Sequence, residues 1–211
     1  MDVTTLLVMQ WADFHANHPN ANIEDFCRYH LIHNSEKFNK EEFLGGIVPS
    51  LATGMLVKLL NRIIKLYQDY AVSAFSESGI TSFEEFVFLN FIGSSNEPRK
   101  TEVVYKNFNE LSSGLLVIGR LKSKGYVSER NDDEDKRAKR VKLTKKGENV
   151  LKICRRQLLL LNEIFFQGIP DDDIHLCTQL LTPIELKFSA LRQQHKNIPF
   201  EDIYKQMSGS N

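Results

Sequence analysis

Cysteine is scarce in this 211-residue chain: Cys27, Cys154 and Cys177 are odd in number and far apart. They cannot form the disulfide framework of a small secreted domain. Long apolar runs are missing as well. Leu158 to Leu161 is a run of four, closed by Arg155-Arg156 and Asn162-Glu163, too short to span a bilayer. The start of the chain lacks a basic segment followed by an apolar stretch and a small-residue cleavage site, so no export signal is expected and the expected location is cytoplasmic, with no membrane partner. No phosphate-cradling glycine loop, nucleophile elbow or HExxH pattern occurs, so the expectation is a non-enzyme without a cofactor. Asp132-Asp133-Glu134-Asp135 lacks the spacing and closing glutamate of a calcium loop and reads as the acidic tip of a turn. Repeats and low-complexity tracts are absent. Net charge is also zero, with 27 Lys or Arg against 27 Asp or Glu.

That zero conceals a sorted chain. Residues 99–156 hold 17 Lys or Arg and 8 Asp or Glu, a local charge of +9, and the remainder carries −9. A block of this kind can make a positive face that attracts phosphates and releases counterions. A solvated charged surface is the bland reading of any Lys/Arg run. Here the block coincides with a helix and a hairpin pattern, which favours a polyanion partner.

Leu111, Leu115, Ile118 and Leu121 recur at helical spacing. Ser112 and Ser113 offer N-cap oxygens, Lys122 and Lys124 complement the helix dipole, and Gly125 suits a left-handed C-terminal cap. Tyr126 to Arg130 is short and β-prone, Asn131 to Lys136 reads as a turn, and Ala138 to Thr144 alternates again. Val141 and Leu143 fall on one face of that second strand, Arg140 and Lys142 on the other. The expected product is a two-stranded hairpin with a basic rim, packed on the helix before it.

Upstream, Leu6 to His15 and Ile23 to His33 predict two short amphipathic helices, with Asn22 as N-cap of the second. Residues 34–50 read as a polar linker. A helix is expected from about Leu51 to Ser76, and Thr81 with Glu84 suggests a capping box before Phe83, Phe86, Val87, Leu89 and Phe91. A shorter helix, roughly Lys100 to Asn107, leads into the Leu111 helix. Two short helices followed by a hairpin make a helix-turn-helix with a wing. Long helices to about Gln167 and from Asp171 complete the chain. The expected class is mainly α with a small two-stranded β wing: a winged helix-turn-helix at 77–147, helical dimerisation segments at 51–76 and 148–211, and an N-terminal extension at 1–50.

Arg120-Leu121, Lys124-Gly125, Arg130, Asp135-Lys136-Arg137, Val141 and Leu143-Thr144 with Gly147 resemble the pattern of the multiple-antibiotic-resistance regulator (MarR) family of bacterial transcription factors. The resemblance covers roughly residues 52–194. It implies a homodimer whose terminal helices interlock, with two winged helices on a near-palindromic operator in double-stranded DNA, repression by occlusion, and release by a small-molecule effector. Arg137 is then the wing arginine of a minor groove and Asp135 the residue that orients it. Ser112, Ser113 and Gly114 open the recognition helix. Leu116 stands where many members carry polar residues, which leaves apolar contact with a thymine methyl as one alternative to hydrogen-bonded base readout there. Arg120 joins this DNA-facing set, while Lys136, Lys139 and Arg140 suit phosphates.

Other groups suggest alternatives. Tyr67, Tyr70, Phe83 and Phe86 could line an effector pocket, or simply pack in a core. His15, His18, Cys27, His30 and His33 cluster in sequence, but the helical spacing of Cys27, His30 and His33 splays them and matches no closed zinc site. Cys154 precedes Arg155-Arg156, which could lower its pKa and make a redox sensor, yet it lies on an apolar stripe. A winged helix that grips protein rather than DNA is the competing class.

Overall fold

The computed structural model describes residues 2–34 and 49–209. The chain divides into two compact units, 1–63 and 64–211. In the first, α1 (Val3–Asn17) starts where Asp2 accepts bonds from the Thr5 amide and hydroxyl. Next, α2 (Ile23–Asn34) starts with a reciprocal cap, Asn22 and Asp25 each accepting from the other's amide at 3.0 Å. Phe14 and Phe26 are buried between these helices, with Trp11 edge-on to Phe26 and Tyr29 against Phe14. His18 and His33 each reach a backbone carbonyl one turn back and stack on Phe14 and Tyr29. No group of three or more His, Cys, Asp or Glu side chains among the described residues could hold a metal ion. The expected linker falls mostly on 35–48, outside the described residues.

Helix α3 (Ala52–Ala74) runs through the division and ends in a 3-10 turn, Ser76–Ser78. The second unit continues with α4 (Phe83–Ser94), α5 (Lys100–Lys106), α6 (Leu111–Ser123), β1 (Val127–Asn131), β2 (Lys139–Leu143), α7 (Lys145–Phe165), α8 (Asp171–Leu191) and α9 (Phe200–Ser208). Among the described residues no helix is long and apolar enough to cross a membrane.

The core is organised around α4, which buries Glu85, Phe86, Phe88, Leu89 and Ile92. Its cap lies one residue later than the sequence suggests. Ser82, not Thr81, is the N-cap and accepts from the Glu85 amide at 3.1 Å, while the Glu85 carboxylate accepts from the Thr81 amide at 2.9 Å. Glu84 is left free to accept from Asn109. Against α4 pack Val103 and Val104 of α5, Val117, Ile118 and Leu121 of α6, and Val150, Leu151 and Cys154 of α7. Each such side chain contributes roughly 1.5–3 kcal/mol of burial. Gly114 is part of this packing: a Cβ there would meet the Val104 methyls at 2.6 Å.

The hairpin is antiparallel, with Val127 opposite Leu143 and Asn131 opposite Lys139. An isolated bridge between Arg99 and Arg140 adds a one-residue third partner beside β2, and the Pro98 carbonyl accepts from the Val141 amide at 3.0 Å. The wing is therefore tied to the loop before α5, a connection that two-strand patterning does not reveal.

Candidate nucleic-acid interface

Helix α6 turns one face to the core and leaves the other open. Ser112, Leu116, Gly119 and Ser123 recur at i, i+4, i+7 and i+11 and are exposed, as is Ser113. Leu116 is 66% exposed, as its position off the apolar stripe implies. Space around Gly119 is empty, so its missing side chain serves no packing. Three sequence expectations are corrected here. Ser112 and Ser113 do not cap α6: the helix begins at Leu111 and Glu110 occupies the cap position without a side-chain bond. Gly114 is buried under Val104 and belongs to the packing face of α6. Arg120 turns back to α4, with its Nε 3.3 Å from Glu85 and Nη2 3.6 Å from Glu84.

The wing has a buried root and an open tip. Asp132, expected at the acidic tip, is 1% exposed. Its carboxylate accepts from Arg99 Nε at 2.9 Å, Arg140 Nε at 2.6 Å, and the amides of Glu134 and Asp135 at 3.0 Å. The Arg99 hydrogen bond, the largest influence, and the backbone amides hold this carboxyl far below the ordinary aspartate range. Arg140 is consequently anchored at the root of the wing: it also donates to the Glu97 carbonyl at 2.9 Å, which leaves its guanidinium mostly committed to the fold. Glu97, left-handed at φ +47°, additionally pairs with Arg130 and Lys142. Lys136 and Lys139 are exposed, with no carboxylate partner among the described residues. Arg137 is 94% exposed, and Asp135 accepts from its amide at 3.0 Å and from its Nε at 3.5 Å. The basic excess counted along the sequence thus overstates the free positive charge, because Glu84, Glu85 and Glu97 neutralise part of it from outside the block.

Glu129 links α5 and α6 to the hairpin. It accepts from Lys100 Nζ at 2.8 Å and Lys122 Nζ at 2.7 Å and is 9% exposed. Burial alone would raise its pKa, but the hydrogen bonds and charge of the two lysines bring it down from 4.5 to about 2. A depressed carboxylate stabilises the fold fully above its unfolded pKa, and the contribution is lost as pH falls toward the folded value. Glu129→Gln should lower stability at neutral pH and flatten the acid limb between pH 4.5 and about 2. Urea midpoints across that range test this; parallel limbs for variant and wild type would refute it.

Among the described residues, the four aromatics expected around an effector line no common cleft. Tyr67 is edge-on to Phe83 and Phe165 and donates to Asn162 at 2.8 Å. Phe86 is buried against Phe75. Phe83 borders a cleft of about 470 Å³ with Lys65, Asp69 and Asn109, and Tyr70 a separate one of about 300 Å³ with Gln157 and Ile164. Edge-to-face packing fills the space that a shared pocket would need. Cys154 is fully buried; burial pushes its thiol up, outweighing a hydrogen bond with Ser78. Arg155 donates instead to Asn90 and Ser94, so no thiolate is favoured there.

Residues 81–147 match a family model described as a winged helix DNA-binding domain. No curated protein sequence matches the chain significantly. Solved structures do. A MarR-family transcriptional regulator from Rhodococcus sp. RHA1 is 18% identical, over 64% of this chain and 96% of that one, with a TM-score of 0.58. The fold is that of the MarR-family regulators. A MarR regulator from Methanosarcina mazei Go1 shares it at 22% identity, over 64% of this chain and 98% of its own, TM-score 0.58. So does a cysteine-to-serine mutant of E. coli MarR complexed with operator DNA, at 19% identity over 70% and 99%, TM-score 0.58. Within this MarR fold α6 occupies the second helix of the helix-turn-helix and Lys139–Leu143 the returning strand of the wing.

Proposed function

We propose that the protein is a homodimeric, MarR-like transcriptional regulator that inserts α6 into a major groove and reaches an adjacent minor groove with Arg137. The observation that carries this reading is the pairing of an open α6 face with a wing-tip arginine held by Asp135. Ser112, Ser113 and Leu116 are the candidate base-reading positions. Lys136 and Lys139 are the candidate phosphate contacts, which fix register rather than sequence. A narrow minor groove concentrates negative potential, so a guanidinium there reads groove width. Among related folds, the E. coli MarR mutant complexed with operator DNA supports the choice of ligand.

The dimer is supported by what the protomer leaves uncovered. Helix α8 buries none of its residues, and Leu180, Ile184, Leu186 and Phe188 are each more than half exposed. Leu159 and Ile164 of α7 are similarly open. Burying such faces against a second copy is the usual resolution, with an obligate-type interface of about 2,000 Å² or more. In this reading residues 51–76 and 148–211 dimerise, 77–147 bind DNA, and occlusion of an operator represses until an effector binds. The expected half-site spacing is about 34–36 Å.

Light scattering should report a dimer at micromolar concentration. On a genomic duplex recovered by footprinting, Arg137→Ala should weaken binding by about 1–3 kcal/mol at fixed salt. Lys136→Ala and Lys139→Ala should each reduce the salt slope by about 0.9. A folded dimer without DNA affinity at low salt would instead identify a protein-binding winged helix.

A further inference from the structure

Helix α5 ends on a cap that demands an unusual backbone. The Phe108 amide donates to the Tyr105 carbonyl and the Asn109 amide to the Val104 carbonyl, each at 3.1 Å. Such a cap requires a left-handed residue just past the helix, normally glycine, because a Cβ crowds the following carbonyl. The chain obeys this rule at the end of α6, where Gly125 at φ +73° donates to Lys122 and Tyr126 donates to Leu121. At the end of α5 the same position holds Phe108, at φ +58° and 51% exposed. A bulky residue is therefore strained at the turn that sets the angle between the two helices of the motif.

That residue is held from elsewhere. The Arg192 guanidinium lies 5.2 Å over the Phe108 ring, and its Nη2 donates to the Phe108 carbonyl. One turn later, Lys196 Nζ is 3.5 Å from Glu110 Oε2 and 5.5 Å over the Tyr105 ring. Glu110 is the cap residue of α6. One short segment after α8 thus touches the last turn of α5, the left-handed residue and the start of the reading helix.

We propose that residues 192–196 form a strut that sets the position of α6, with Arg192 a positioning residue that holds Phe108 in its left-handed state. Movement of the C-terminal helix then reaches the DNA-reading helix directly. The consequence for DNA rests on the function proposed above; the strut itself does not.

Two readouts on the full-length protein keep these apart. Amide hydrogen exchange at Phe108 and Asn109 needs no DNA. Arg192→Ala should speed exchange there by about 5- to 30-fold, the range set by losing one left-handed stabilisation. Phe108→Gly removes the strain and the ring but keeps the carbonyl that Arg192 bonds, so Arg192→Ala added to it should change exchange at residue 108 and Asn109 clearly less than in the wild-type background. A merely structural surface arginine would show the same effect in both backgrounds, and that result, or unchanged exchange in Arg192→Ala, overturns the strut. On the footprinted duplex, Arg192→Ala should raise Kd by about 5- to 30-fold and Phe108→Gly should restore it. Altered exchange with an unaltered Kd would overturn the link to reading while leaving the strut standing.

Discussion

Gly147→Ala should destabilise the protein by at least about 3 kcal/mol, the upper end of ordinary overpacking, and lower Tm by roughly 6–12 °C for a chain of this size. A Cβ at this buried position would lie 2.0 Å from the Tyr126 carbonyl oxygen and 2.8 Å from its carbon. These are backbone atoms and cannot swing aside as a side chain tip can. The same oxygen accepts from the Thr144 amide at 3.0 Å, and the Thr144 hydroxyl caps α7 through the Gly147 amide at 3.1 Å. Relieving the clash therefore pulls the first turn of α7 off the segment before β1 to which it is fastened. Gly119→Ala is the internal comparison: it adds a methyl in open space on a helix and should stabilise by up to about 1 kcal/mol. Thermal melts of both variants decide the matter, and a Gly147→Ala melt within roughly 2 °C of wild type would contradict the contact.

Gly147 also marks where sequence reading succeeds. Periodicity, the Gly125 cap and the alternation around Val141 are local properties, so helices, hairpin and fold class are legible from them. The resemblance marked Leu143-Thr144 with Gly147 as one unit; geometry supplies the reason, the Tyr126 carbonyl, one residue before β1, pressed against the helix start. What stayed hidden is the pairing of charges across the fold. Arg120, Arg140 and Asp132 look exposed in a basic, polar stretch. Arg140 and Asp132 pair locally, eight residues apart, but the partners that bury them and Arg120 lie 33 to 43 residues away, at Glu85, Arg99 and the Glu97 carbonyl, and no spacing rule reaches that far. Gly114 misled for another reason: it lies on the Leu111–Leu121 stripe, three residues after Leu111 and four before Ile118, but has no side chain to register in an apolar pattern, and only the Val104 methyls packed over it show why none fits. Phe108 could have been suspected, since the turn of a helix-turn-helix usually holds glycine. Nothing along the chain names Arg192 as its support.

Glu85 tests the sharpest of these corrections. Its carboxylate is fully buried and accepts from Thr81, from Lys124 Nζ at 2.7 Å and from Arg120 Nε at 3.3 Å. Removing one partner of a buried pair costs about 3–5 kcal/mol when the other is trapped. Here Lys124 and Arg120 are 25% and 47% exposed and can turn to water, so Glu85→Ala should cost about 2–3 kcal/mol by urea unfolding. Burial pushes this carboxyl up, but hydrogen bonds from Lys124 and Thr81 outweigh it and leave the pKa below 4.5. The folded value is depressed, so this stabilisation is complete above pH 4.5 and erodes as pH falls below it. The alanine variant should lose part of that acid sensitivity along with its stability at neutral pH. Arg120 then separates scaffold from interface. If it serves Glu85 and Glu84 rather than phosphate, Arg120→Ala should weaken the fold yet leave DNA affinity and salt slope unchanged where the protein remains folded. A drop in the slope by about one on that substitution would return Arg120 to the DNA face.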